Sequence, residues 1–236
     1  MVASADRRMR LWNLVVERAH GVPATAGHVG AVVLTVAGVD AVAVTLVLAD
    51  SPRENVYASG RLAADLEELT TTLGEGPGVD ALAGWPALGA DLTDLYCRAR
   101  WPVFAPAAVA QDVRAAFALP LQVGSIRLGV MDLYRSRAGV LDRDQLADSL
   151  LLADTACALL LDETNHGEGR RPEGASLQHP EVHQATGMLV IQAGVSAAVA
   201  LVRLRAYAYA HDRRLRDVAA DVVARRLRFH RDPEEG

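Results

Sequence analysis

The last quarter of the chain places the tightest limit on its fold. From Pro180 to Phe229 three apolar-periodic stretches follow one another, each cut short by Gly194, by Val195-Ser196 or by the corner Asp212-Arg213-Arg214. Helices this short are marginal alone, so the three must bury their apolar faces against each other. The first is expected from about Glu181 to Gln192. Pro180 lies where its missing N–H costs little, and Gly194 sits just past the end. Ser196 can cap the second, which is expected to reach about His211. The third is expected from Leu215 to Phe229, with Leu215, Val218, Ala219, Val222, Val223 and Leu227 on one face.

Charge then says what such a lobe can meet. Leu201 to Arg231 holds nine arginines against three acids, Asp212, Asp217 and Asp221, on a chain whose net charge is −5. A small basic lobe on an acidic protein points to a polyanion, most simply a nucleic acid. All 24 basic side chains are arginine, which excludes a Schiff-base lysine and a P-loop lysine. Any phosphate contact must come from guanidinium groups, backbone N–H or neutral polar groups.

The front of the chain reads as an ordinary packed domain, and 51% hydrophobic content is ample for its core. No membrane span is expected, because the most apolar run, Val29 to Ala49, is broken by Asp40. No signal peptide is expected either. Cys97 and Cys157 read as two free thiols in a reducing compartment, and no zinc-ligand spacing surrounds them. Helical spacing marks Ala5–Ala19, and a second apolar stretch covers Ala24–Val36. Val39–Ala49 and Asn55–Ser59 read as a hairpin around Asp50-Ser51-Pro52, and Arg61–Leu73 as an amphipathic helix stopped at Gly74. A loop-rich middle runs to about Pro102. A short helix is expected over Phe104–Gln111, two strands over Val113–Val123 and Ser125–Ser136, and a long helix over Leu141–Asp162. This order fits an antiparallel sheet flanked by helices, so the whole chain is of α+β class with an all-α tail. Residues 165–178 are polar, contain three Gly and one Pro, and read as a linker between a domain at 1–164 and one at 179–236.

GEGPGVDAL (Gly74–Leu82), RWP (Arg100–Pro102), FALPL (Phe117–Leu121) and RLGVMDLYR (Arg127–Arg135) resemble GAF domains of actinobacterial type. QATGMLV (Gln184–Val190), ALVRLRAYA (Ala200–Ala208) and RRLRDVAADVV (Arg213–Val223) resemble the ANTAR domain of transcription antitermination regulators. Together these imply a cytoplasmic GAF–ANTAR regulator: a sensing and dimerising front, and an output that binds hairpin loops of RNA in nascent transcripts. Thr186 departs from the commonest form of the first motif, which has lysine there. Either Thr186 and nearby backbone meet RNA differently, or neighbouring arginines supply the charge.

The expected RNA-binding residues are Gln184, Ala185, Thr186, Gly187, Arg205, Tyr209, Arg213, Arg214 and Arg216. The small residues would permit close approach, the arginines would pair with phosphate or stack on bases, and Tyr209 would offer a stacking face. Close helix packing is the competing explanation for Ala185 and Gly187. A pocket for an unidentified small molecule is expected near Asp91, Arg100, Trp101, Phe104 and Phe117. No catalytic motif, metal set or cofactor motif is present, so a non-enzymatic regulator is expected, and the resemblance to GAF domains implies a homodimer. The third helix lacks a successor in HRDPEEG, which argues against a helix-turn-helix reader. The rival reading is a small-molecule sensor whose helical tail binds a protein partner.

Overall fold

The computed structural model describes residues 2–47, 53–124, 126–166 and 180–229. Two helices open the chain, α1 (Val2–Ala19) and α2 (Ala26–Val36), followed by strands β1 (Ala41–Leu46) and β2 (Glu54–Ala58) and helix α3 (Arg61–Leu73). Then come α4 (Pro77–Asp80), a 3₁₀ turn (Ala81–Ala83), β3 (Ala87–Gly89), α5 (Leu95–Arg100) and α6 (Phe104–Val109). Strands β4 (Ala115–Val123) and β5 (Ile126–Arg135) lead into α7 (Arg143–His166), and α8 (Pro180–Ala193), α9 (Ala197–Ala210) and α10 (Leu215–Val223) form the tail.

The five strands make one antiparallel sheet in the order β2-β1-β5-β4-β3. Alternation along the strands divides the first domain into two layers. Val42, Val44 and Leu46 of β1, Phe117, Leu119 and Leu121 of β4, and Met131 and Leu133 of β5 face α1, α2 and α7. Ala41, Ala43, Ala116, Ala118, Val130 and Tyr134 face α3, α5 and α6 on the other side. Close approach of β1 and β5 needs Gly129: a Cβ there would lie 2.0 Å from the Thr45 carbonyl oxygen. The tail has its own core, from Val182, Ala185 and Leu189 of α8, Ala200, Leu204 and Ala208 of α9, and Leu215, Val218, Ala219 and Val222 of α10.

The structure amends the sequence reading in three places. β3 lies inside the expected loop region and adds a fifth strand; its three residues are too few to carry an alternation pattern. Helix α10 stops at Val223 instead of continuing to Phe229. Arg225 takes a left-handed conformation (φ 59°), and Arg226 and Leu227 return their N–H groups to the Asp221 carbonyl. Helix α7 runs on to His166, so the first two residues of the expected linker are helical. The expected turn at Asp50-Ser51-Pro52, the rest of the linker and the end from His230 lie outside the described residues.

Gly129→Ala is expected to force β1 away from β5 at the centre of the sheet. A loss of about 2–3 kcal/mol in urea unfolding is the expected outcome, because well-packed sites tolerate added atoms poorly.

Candidate nucleic-acid interface

The helical period of α8 decides which residues of its motif can reach a partner. Val182, Ala185, Thr186, Leu189 and Ala193 recur every three or four residues and turn into the core. Ala185 is fully buried, and the Thr186 hydroxyl donates to the Val182 carbonyl at 2.7 Å. These two expected contact residues therefore belong to the packing of the lobe. Gln184 and Gly187 face outward in line with Ile191, and a Cβ on Gly187 would meet nothing within 4 Å.

The remaining expected residues gather where α9 meets α10. Ser196 caps α9 through its side chain, accepting the Val199 N–H, and Arg213 begins the turn into α10. Tyr207 packs inward, stacked on His211 at 3.9 Å and edge-on to Phe229 at 5.5 Å, whereas Tyr209 is 60% exposed. Arg213 donates to Asp221 Oδ2 at 2.7 Å, and Arg226 reaches Asp221 Oδ1 at the same distance, so one carboxylate is held between two guanidiniums. Those two hydrogen bonds hold the Asp221 carboxyl below its usual range.

Arg205, Arg214 and Arg216 do not face open solvent alone; they lie against α3. Arg205 Nε donates to the Thr71 carbonyl at 2.8 Å. Arg214 lies 3.9 Å from Asp65 and 3.6 Å from Glu68, and Arg216 lies 3.5 Å from Glu68. The backbone N–H of Leu215, the first residue of α10, is directed at Thr72 Oγ1 at 3.4 Å. Between the two domains is a cleft of about 500 Å³, lined by Glu68, Leu69, Thr72, Gln111, Tyr209 and Arg214 among others.

Under α3, on its sheet side, is a buried charge cluster that sequence reading missed. Glu67 accepts from Thr45 Oγ1 at 2.7 Å, from Tyr134 OH at 2.8 Å and from Arg53 at 3.2 Å. Arg53 also reaches Asp132 at 3.5 Å and the Gly78 carbonyl at 3.1 Å. A Cβ on Gly78 would lie 2.5 Å from Asp132, so glycine lets α4 close over the cluster. Burial pushes the Asp132 carboxyl well above its usual range and the charge on Glu67 adds to this, while Arg53 opposes both. The one available signal was an aspartate inside the apolar strand GVMDLY, at a position where alternation demands an inward side chain.

The five residues expected to line a pocket do not come together around one. Trp101 and Phe104 meet edge to face beneath α3, but Phe117 is on the opposite face of the sheet. Arg100 and the Trp101 indole N–H both donate to Asp80, at 2.6 and 3.0 Å. Asp91 accepts from the backbone and hydroxyl of Thr93 and pairs with Arg114. The alternation of β4 explains the miss: Phe117 follows Ala116 and precedes Ala118, so it takes the other face. Both cysteines are buried, and burial pushes the Cys97 thiol up to about 11, an environment that suits packing rather than reactivity. No group of His, Cys, Asp or Glu among the described residues could hold a metal. Among them, too, no single helix is long and apolar enough to cross a bilayer.

The ANTAR domain family matches residues 173–223, the segment that contains α8, α9 and α10. No curated protein matches the chain by sequence. Among solved structures, the GAF domain of a phosphoenolpyruvate-protein phosphotransferase from Coxiella burnetii aligns with a TM-score of 0.51 at 13% identity, covering 68% of this chain and 96% of that one. The GAF domain of the corresponding protein from Acinetobacter aligns with a TM-score of 0.51 at 10% identity, covering 72% of this chain and 99% of that one. The first domain therefore has the fold of GAF domains, and residues 173–223 of the tail match the ANTAR domain.

Protonation of Asp132 gives a test of the cluster. Between the ordinary carboxylate value of 3.8 and the raised folded value, the folded chain keeps a proton that the unfolded chain releases. Stability is then lost as pH rises through that window, by at most about 1.4 kcal/mol per pH unit. Asp132→Asn is expected to flatten this decline when urea midpoints are compared from about pH 5 to about pH 9.

Proposed function

We propose that this chain, in which a GAF fold is joined to an ANTAR domain, is a cytoplasmic transcription antitermination regulator that binds hairpin RNA. ANTAR domains are RNA-binding output modules and GAF domains are signal sensors, so the pairing supplies an input and an output in one chain. The observation that carries this reading is the cluster of Tyr209, Arg213, Arg214 and Arg216 at the α9–α10 corner, within the ANTAR match. Guanidinium groups can pair bidentately with phosphate and stack on unpaired bases, and an exposed tyrosine offers a second stacking face. Gln184 and Gly187 are exposed on α8 and offer the same domain a further contact surface. Arginines, rather than a side chain at Thr186, supply the positive charge.

Two copies would hold paired hairpins more tightly than one through effective concentration. Met9, Trp12 and Val16 favour such a dimer. They form an exposed apolar stripe on α1, opposite the buried Leu11 and Val15. A second reading is favoured by Ile191, Val199 and Val202, which are exposed on α8 and α9 and suit a protein partner of the tail.

Filter binding of the full chain to paired-hairpin RNA tests the first reading. Arg213→Ala/Arg214→Ala is expected to weaken binding and to reduce the slope of log affinity against log salt by about two. RNA binding that is absent at low salt, or insensitive to this double change, would favour the protein-partner reading. For the dimer, Trp12→Glu is expected to shift sedimentation toward the monomer without loss of helix content. An unchanged sedimentation profile would remove α1 from the seam.

A further inference from the structure

Helix α3 presents acceptors to the tail in a compact array. Asp65, Glu68 and Thr72 are spaced three and four apart, so they share one face of the helix. The backbone adds the Thr71 carbonyl. Against these acceptors stand Arg214, Arg216, Arg205 and the N–H of Leu215. Arg214 is the N-cap of α10 and provides no side-chain cap, so Thr72 of the other domain fills that role. Every tail group in this set is one that a phosphodiester would otherwise satisfy: three guanidiniums and a free amide at a helix N-terminus. Carboxylate, carbonyl and hydroxyl oxygens of α3 occupy them in its place.

We propose that α3 is an internal competitor for the RNA site, and that the docked arrangement is the masked state of the regulator. This inference rests on the RNA-binding reading above and names how that same site is controlled. The contacts are of a kind that can release. The three ion pairs fall at the long end of the range, 3.5 to 3.9 Å, on arginines that remain partly exposed. Such pairs are individually weak and are screened by salt. Glu68 Oε1 is buried without a formed hydrogen bond. Arg205 is desolvated beside the like-charged Arg53, and both effects work against its charge. RNA phosphates could therefore displace α3 from Arg214 and Arg216 without breaking a short contact, and the 2.8 Å hydrogen bond from Arg205 to the Thr71 carbonyl is the one strong bond they would have to replace.

The same helix joins this mask to the sensing domain. Glu67 lies between Leu66 and Glu68, and its side chain enters the buried cluster with Arg53, Thr45 and Tyr134. A change in the cluster that moves α3 along the sheet moves Asp65 and Glu68 with it. Coupling thus runs through one helix.

The test compares binding of paired-hairpin RNA by the full-length wild type, by Asp65→Asn/Glu68→Gln and by Asp6→Asn/Glu17→Gln. The last makes the same change in net charge on exposed positions of α1. The α3 variant is expected to bind roughly fivefold or more tightly, with faster amide exchange at residues 71–74 and at Leu215. The α1 variant is expected to match wild type. Thr72→Val, which removes only the hydroxyl facing Leu215, should shift affinity in the same direction by less. Equal binding by wild type and both α3 variants would overturn the mask and leave the RNA reading standing. An equal gain from the α1 variant would also overturn it, because bulk charge would then explain the effect. If no form binds RNA, the RNA reading itself fails and the mask falls with it.

Discussion

Glu67 is the constraint around which the rest of the molecule is arranged. A carboxylate taken out of water costs several kcal/mol unless its oxygens are satisfied. Here Thr45, Tyr134 and Arg53 supply that satisfaction from strands β1 and β5 and from the residue just before β2. These partners fix the rotation of α3 about its own axis. Once Glu67 faces the sheet, Asp65, Glu68 and Thr72 must face away from it, because the helical period allows no other arrangement. The acidic outer face of α3 is thus a consequence of the buried ionic inner one.

That geometry changes the meaning of the arginines in the tail. Counted along the chain they make a basic lobe. In space, three of them are met by the acceptors of α3, and Arg213 shares Asp221 with Arg226. The lobe is less cationic toward solvent than its composition suggests. A guanidinium is well suited to both situations, since its donor fork accepts a carboxylate or a phosphate with little change in geometry. The absence of lysine makes this interchange general along the tail.

Much of the fold was legible because periodicity is a local property. The expected helix Arg61–Leu73 coincides with α3, and the expected tail helices begin within a residue or two of α8, α9 and α10. The strand pairs β1–β2 and β4–β5 were likewise visible as apolar runs around turn residues. What escaped was set by distant partners. β3 exists because β4 offers it an edge, and Glu75 caps α6 across the domain by accepting the N–H groups of Val103 and Phe104. The expected pocket residues were divided for the same reason: Phe117 was expected on a strand facing Trp101, and the pleat turns it to the other side of the sheet.

By itself the sequence determined the two-part organisation, the antiparallel front, the three-helix tail and the arginine-only chemistry at its corner. Each follows from spacing and composition, which are written residue by residue. Tertiary structure alone decided that Asp132 sits beside Glu67 and Arg53, and that α3 covers part of the basic corner. Those outcomes depend on which faces meet between distant parts of the chain, 79 residues apart for Arg53 and Asp132 and 134 for Thr71 and Arg205, and no local pattern encodes such a meeting.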